Sequence, residues 1–212
     1  MRLWRARPVR SAAAAVFGLA LLAAVALPRP QPPAKPVPSA SISEIVLALE
    51  PAQSQVHWTL NSALHTVHGT FALKSGTVHF NPETGTAGGE IVVYAPSGQS
   101  GNASRDKRMH KEILETAKYP DVIFRPTHVE GKVNRSGASD VKLSGTLSIH
   151  GADHDLTAAV HAELAGDRWT GTVTFKVPYV EWGIKDPSNF LLKVQPVVNV
   201  ELDLSGEIKA AN

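Results

Sequence analysis

At 212 residues the chain has room for one medium-sized domain with a sizeable core. Its 43% hydrophobic and 19% charged residues, with 16 Gly and 15 Pro, are of ordinary globular composition. The absence of cysteine excludes a disulfide scaffold, a thiolate metal site, a cysteine nucleophile and an acylated-cysteine lipoprotein. The formal charge of +2 is unevenly placed. Residues 1–26 hold Arg2, Arg5, Arg7 and Arg10 and no acid, so the remainder has 17 Lys+Arg against 19 Asp+Glu, with no electrostatic footprint for nucleic acid.

Met1 to Arg10 is a positive n-region, Ser11 to Leu27 is uncharged, and Ala24 and Ala26 form an A-x-A site. This reads as a signal peptide over residues 1–26. An uncleaved anchor is the rival reading, but the uncharged run only reaches the lower limit for crossing a bilayer and is rich in alanine. Either version expects a body outside the cytoplasm, periplasmic or extracellular. Between Pro28 and Pro38 there are six prolines, the composition of an extended, semi-rigid spacer. A Pro-rich linker is therefore expected over residues 27–50 and one folded domain over residues 51–210.

From residue 55 onward, apolar residues recur with period two, as in half-buried strands. Val56, Trp58 and Leu60 share a face, as do Val67, Gly69, Phe71 and Leu73. Lys74-Ser75-Gly76 reads as a turn into Thr77-Val78-His79-Phe80, and Asn81-Pro82-Glu83-Thr84-Gly85 as another, before Glu90–Tyr94. Further runs are Val122–Phe124, Leu143–Ile149, Leu156–Leu164, Val173–Tyr179 and Val198–Leu204. Short connections imply hairpins and antiparallel pairing. No helices alternate with the strands, which excludes a doubly wound α/β fold. Single glycines within strands (Gly69, Gly145, Gly171) fit the bending of a barrel wall better than a flat sandwich.

One segment has a different period. Asn102-Ala103-Ser104 offers helix caps, and Arg105–Lys118 places Met109, Ile113, Leu114 and Ala117 on one stripe. Arg108–Glu112 and Lys111–Glu115 are i,i+4 ion pairs, and Pro120 ends the segment. The expectation is one amphipathic helix over approximately residues 104–118, covering an edge or an opening.

The nine histidines raise a metal site. His65 and His68 are three apart, and His150 and His154 flank a turn, but no cysteine or defined carboxylate accompanies them. Gly98-Gln99-Ser100-Gly101-Asn102 nearly matches G-x-S-x-G, yet no strand–elbow–helix of a parallel sheet surrounds it. No catalytic constellation emerges, and no metal or cofactor is expected. Apolar volume remains. The inward aromatics Trp58, Phe71, Phe80, Phe124, Phe175 and Tyr179 serve as plain core, or line a cavity if eight strands close. Ile149, Leu202 and the helix residues Met109, Ile113 and Leu114 complete the candidate ligand-binding set.

Four ordered stretches resemble the YceI family of exported bacterial proteins, also called polyisoprenoid-binding. They are Ser54–Trp58 with Val67–Phe71, Arg105-Asp106 with Lys118-Tyr119-Pro120-Asp121-Val122-Ile123-Phe124, Leu143–Gly151, and Phe175–Ile184. The resemblance implies an all-β, elongated, lipocalin-like antiparallel barrel of about eight strands. Its interior would sequester or carry a long polyisoprenoid, quinone- or prenol-like, or another amphiphile, without enzymatic activity and with no cofactor beyond that lipid. Two stretches depart from the family pattern. The helix reads Met109-His110-Lys111-Glu112-Ile113-Leu114, and the segment before Gly183-Ile184 lacks the family's arginine. Membrane proximity is expected, and a homodimer is left open. The alternatives are a metal-dependent or hydrolytic periplasmic enzyme using the His-rich turns, or an interaction module at the membrane surface.

Overall fold

The computed structural model describes residues 44–190 and 192–210. The expected signal peptide and most of the expected linker lie outside the described residues. Nine strands follow in chain order: β1 (Ile45–Leu49), β2 (Gln55–Ser62), β3 (Thr66–Phe80), β4 (Ala87–Gln99), β5 (Asp121–Glu130), β6 (Gly137–Ile149), β7 (Ala152–Ala165), β8 (Arg168–Val177) and β9 (Val194–Ala210). All pair antiparallel. The circuit runs β3-β2-β9-β8-β7-β6-β5-β4 and returns from β4 to β3, closing a barrel of eight staves.

The ninth strand does not add a stave. β1 pairs with the same two neighbours as β2, but farther along them, with Ile45 opposite Phe80 and Ala210 and Trp58 opposite Gly69 and Val200. β1 and β2 are thus two halves of one stave, interrupted by a 3₁₀ turn at Pro51–Gln53, where proline removes a backbone donor. The Glu50 carboxylate, at the break, accepts from both terminal nitrogens of the Arg168 guanidinium, at 2.5 and 2.8 Å. Its carboxyl is held below the usual range by that hydrogen bond, and the Arg168 guanidinium is raised in return. The linker expected over residues 27–50 is corrected here, because Ile45–Leu49 belongs to the wall. This segment, Ile-Val-Leu-Ala-Leu, is apolar throughout and lacks the alternation that marks the other strands.

Two further expectations are revised. The turn expected at Lys74-Ser75-Gly76 is absent, and β3 continues through it with a register shift between Leu73 and Ser75. The irregularity bends the strand and does not reverse it. The helix is also shorter than residues 104–118. α1 spans Ala103–Arg108, capped by the Asn102 side chain, which accepts from the Arg105 amide, and a π turn follows at Met109–Ile113. Glu115 has φ 45°, a left-handed conformation that an α-helix does not propagate.

Strand glycines give aromatic rings space to lie across the wall. A Cβ at Gly69 would fall 2.2 Å from Trp58 Cζ2, and one at Gly206 2.7 Å from Trp169 Nε1. In each case the ring belongs to the residue directly opposite. These glycines are seats for indoles as well as points of bending.

The β2–β3 hairpin, α1, the β6–β7 turn and the β8–β9 connection gather at one end of the barrel, the rim. Phe80, Leu164 and Trp169, all buried, occupy the opposite end.

Candidate functional site

The inward side chains do not meet at the barrel axis. They enclose a cavity of about 610 Å³, within the usual range for a ligand pocket. Its depth is lined by alternate residues of the staves, such as Val56, Trp58, Phe124, Ala158, Val173 and Leu202. Its exposed lining residues, His65, Ser104 and Arg108, all lie at the rim, so the cavity opens there. Phe71, Phe124, Phe175 and Val200 are only half-buried although they point inward, as expected for walls facing space rather than one another.

Of the eleven candidates, Trp58, Phe71, Met109, Ile113, Leu114, Phe124, Ile149, Phe175, Tyr179 and Leu202 line this one cavity. Phe80 does not. It points to the same side as Val78, but it sits at the far end of β3, where it is buried beyond the cavity floor. Trp169, which the sequence reading passed over, lies on the floor. It continues the alternation of Val173 and Phe175 back through Gly171, a parity that identifies it. Ala158 and Ala162 also line the cavity, and their small side chains leave the space that larger ones would fill.

The lining changes character towards the rim. Its titratable members are His65, Arg105, Arg108, Tyr119, His150 and Tyr179, with no Asp or Glu among the described lining residues. Arg105 is held by Ser100, donating from Nε to its hydroxyl at 2.7 Å and from a terminal nitrogen to its carbonyl at 2.9 Å. The Ser100 hydroxyl donates to Asp106, so the residue at the centre of the near-hydrolase motif works as a structural brace. Arg108 lies 3.7 Å from Glu112, the one of the two expected i,i+4 pairs that forms as expected. Glu115 turns instead to His150, at 2.9 Å.

Glu112 also receives Lys185 Nζ at 3.1 Å, which ties the π turn to the β8–β9 connection across the mouth. That hydrogen bond, with the Lys185 charge behind it, holds the Glu112 carboxyl below the usual carboxylate range. Tyr179 is buried with no hydrogen-bond partner on its hydroxyl. Desolvation, reinforced by the nearby Asp186 charge, pushes its pKa up to about 12, so it stays a neutral phenol. Trp58 Nε1, Trp169 Nε1 and His154 Nε2 are likewise buried without a partner.

The histidine pairs are dispersed. His68 meets the Thr59 hydroxyl at 3.0 Å, His150 meets Glu115, and His154 stacks on Trp182 with ring centroids 4.2 Å apart. Among the described residues no three His, Asp or Glu side chains are grouped to hold a metal ion.

This architecture, a closed antiparallel barrel with a helix at its open end, coincides with a match to the YceI-like domain over residues 47–206. The chain belongs to the YceI-like domain family. Solved structures agree on the fold. Burkholderia cenocepacia BcnA is similar at 17% identity and TM-score 0.62, covering 74% of this chain and 99% of that one. A polyisoprenoid-binding domain from Saccharophagus degradans, implicated in plant cell wall breakdown, is similar at 16% identity and TM-score 0.60, covering 78% and 98%. The Campylobacter jejuni YceI protein is similar at 20% identity and TM-score 0.55, covering 69% and 87%. No curated protein matches the chain.

Proposed function

We propose that this YceI-like protein sequesters or carries a long apolar chain of the polyisoprenoid type inside its barrel, outside the cytoplasm, without catalysing a reaction. The observation that carries the reading is the 610 Å³ cavity, deep, almost wholly apolar and open at one end. The similar domain from Saccharophagus degradans, described as polyisoprenoid-binding, supports the same class of ligand. The basic n-region and uncharged run of residues 1–27 support export.

The energetics fit a carrier. A chain leaving water gains about 0.8 kcal/mol per buried CH₂, and a long chain would soon exceed the practical ceiling on affinity. The effective competitor is therefore the membrane, in which the chain is already solvated. The net preference for the protein is small, which allows loading and unloading. No metal or cofactor takes part in this reading.

The test is organic extraction of protein purified without detergent, followed by mass spectrometry, with uptake of prenol and quinone analogues measured in parallel. A co-purifying long-chain lipid, or saturable uptake, is the expected result. Repeatedly empty protein that takes up neither analogue would overturn the reading. Elemental analysis before and after dialysis against a chelator checks the metal-free part, and stoichiometric zinc, copper or nickel would overturn that part.

A further inference from the structure

The rim of the barrel carries side chains that a soluble surface does not need. Among the described residues the exposed large hydrophobics are Leu64 at 77%, Tyr94 at 44%, Val180 at 37% and Phe190 at 95%. Tyr94 lies on the outer wall, opposite Asp121. The other three are at the rim. Leu64 is at the tip of the β2–β3 hairpin, and Phe190 and Val180 are in the β8–β9 connection. The two loops are joined, since the Ala63 amide donates to the Lys193 carbonyl at 2.9 Å and Ser62 pairs with Val194. Leu64 and Phe190 therefore project from one lobe. The same lobe contributes His65, Pro187 and Leu192 to the cavity mouth, so exposed apolar surface runs directly into the apolar interior.

Across the mouth, α1 and the π turn carry Arg105, Lys107, Arg108 and Lys111 against Asp106 and Glu112, two more cations than acids. Both acids are engaged, Asp106 by Ser100 and Glu112 by Lys185, while Lys107 and Lys111 stand exposed. Protruding apolar tips beside a cationic face are the composition of an interfacial anchor, which combines shallow insertion with attraction to anionic headgroups.

We propose that the rim is a membrane-docking surface, and that an anionic phospholipid bilayer is its partner. Leu64 and Phe190 enter the headgroup–acyl boundary, the α1 face lies against the headgroups, and the cavity mouth opens onto the lipid rather than onto water. This goes beyond chain sequestration, because the docking requires no ligand in the barrel.

The chain has no cysteine, so single introduced thiols can be labelled cleanly with an environment-sensitive fluorophore. Full-length Phe190→Cys and Tyr94→Cys are mixed with vesicles of phosphatidylcholine and phosphatidylglycerol that contain no isoprenoid. A blue shift at position 190 and none at 94 is expected, and the shift should fade as salt is raised. Equal shifts at both positions, or none at 190, overturn the proposal. In a second arm, Leu64→Ser with Phe190→Ser should lower vesicle partitioning at least about tenfold. Lys107→Glu with Lys111→Glu should lower the preference for anionic over neutral vesicles relative to the parent. Undiminished partitioning of the first pair also overturns the proposal. All variants share one N-terminal segment, so differences among them belong to the rim. A protein that docks yet takes up no prenol would remove the carrier reading and leave this one standing.

Discussion

At the scale of single residues, the wall depends on fits between rings and glycines. A methyl at Gly69 would meet the Trp58 indole at 2.2 Å and the Gln99 carbonyl at 2.4 Å. Backbone cannot yield as a flexible side chain can, so Gly69→Ala should cost roughly 1–3 kcal/mol as overpacking. Urea denaturation read by far-UV circular dichroism checks this, and an unchanged midpoint would refute the seat. Tyr179 gives the opposite expectation. Its buried hydroxyl has no partner, so Tyr179→Phe removes a desolvation cost and should leave stability equal or higher. The pH dependence has a definite sign. The folded pKa of about 12 lies above the ordinary 10.0, so the folded state retains its proton more strongly. That contribution is complete below pH 10 and is lost as pH rises through about 12. The alkaline decline in stability should therefore be shallower in Tyr179→Phe than in the parent.

At the scale of elements, the π turn and the β8–β9 connection are joined by Lys185 and Glu112, and the expectation is that together they act as a lid. Ile113 and Leu114 are half-buried on the cavity side. Ile113→Ala with Leu114→Ala should cost roughly 1–3 kcal/mol, below the range for fully buried aliphatics, while speeding release of a bound prenyl fluorophore. Unchanged release with a large stability loss would make the segment a prop instead. The fastening is an exposed ion pair, so Glu112→Gln should hardly move the melting temperature but should accelerate release. Because the folded Glu112 carboxyl titrates below its ordinary 4.5, the clasp is intact above that value. It is lost as pH falls through the lowered one, and release in the parent should quicken only on that acid side. The Glu112→Gln variant should show no such step.

At the scale of the whole molecule, stability and binding draw on the same side chains. Trp58→Ala should lower both, with a stability loss of about 3–5 kcal/mol. Separating the two requires a change that fills space without breaking a contact. Ala162 lines the cavity near the floor, opposite Gly171 and close to Trp169. Ala162→Phe should keep the fold, with a melting temperature equal to the parent's or higher. It should also shorten the longest prenol the barrel accepts. Competition among prenols of increasing length measures this, and an unaltered length limit would show that the chain does not reach the floor.

The sequence alone determined the alternation, and with it which residues face inward. A strand exposes its two sides by strict period two, so Val56, Trp58, Leu143, Leu147, Val173 and Leu202 needed no tertiary information to be assigned to one interior. Three matters were decided only in three dimensions. Whether Lys74-Ser75-Gly76 turns or bulges depends on β4 pairing through it. Whether Ile45–Leu49 is linker or wall depends on the gap that β2 leaves between β3 and β9. Whether inward aromatics form a packed core or the lining of a cavity depends on closure, because eight staves closed in a ring hold their inner side chains apart at the axis. Ten of the eleven candidate residues therefore meet at one cavity, and Phe80, of the same parity, lies past its floor. Period two gives the side a residue faces, and only strand register gives its height along the barrel.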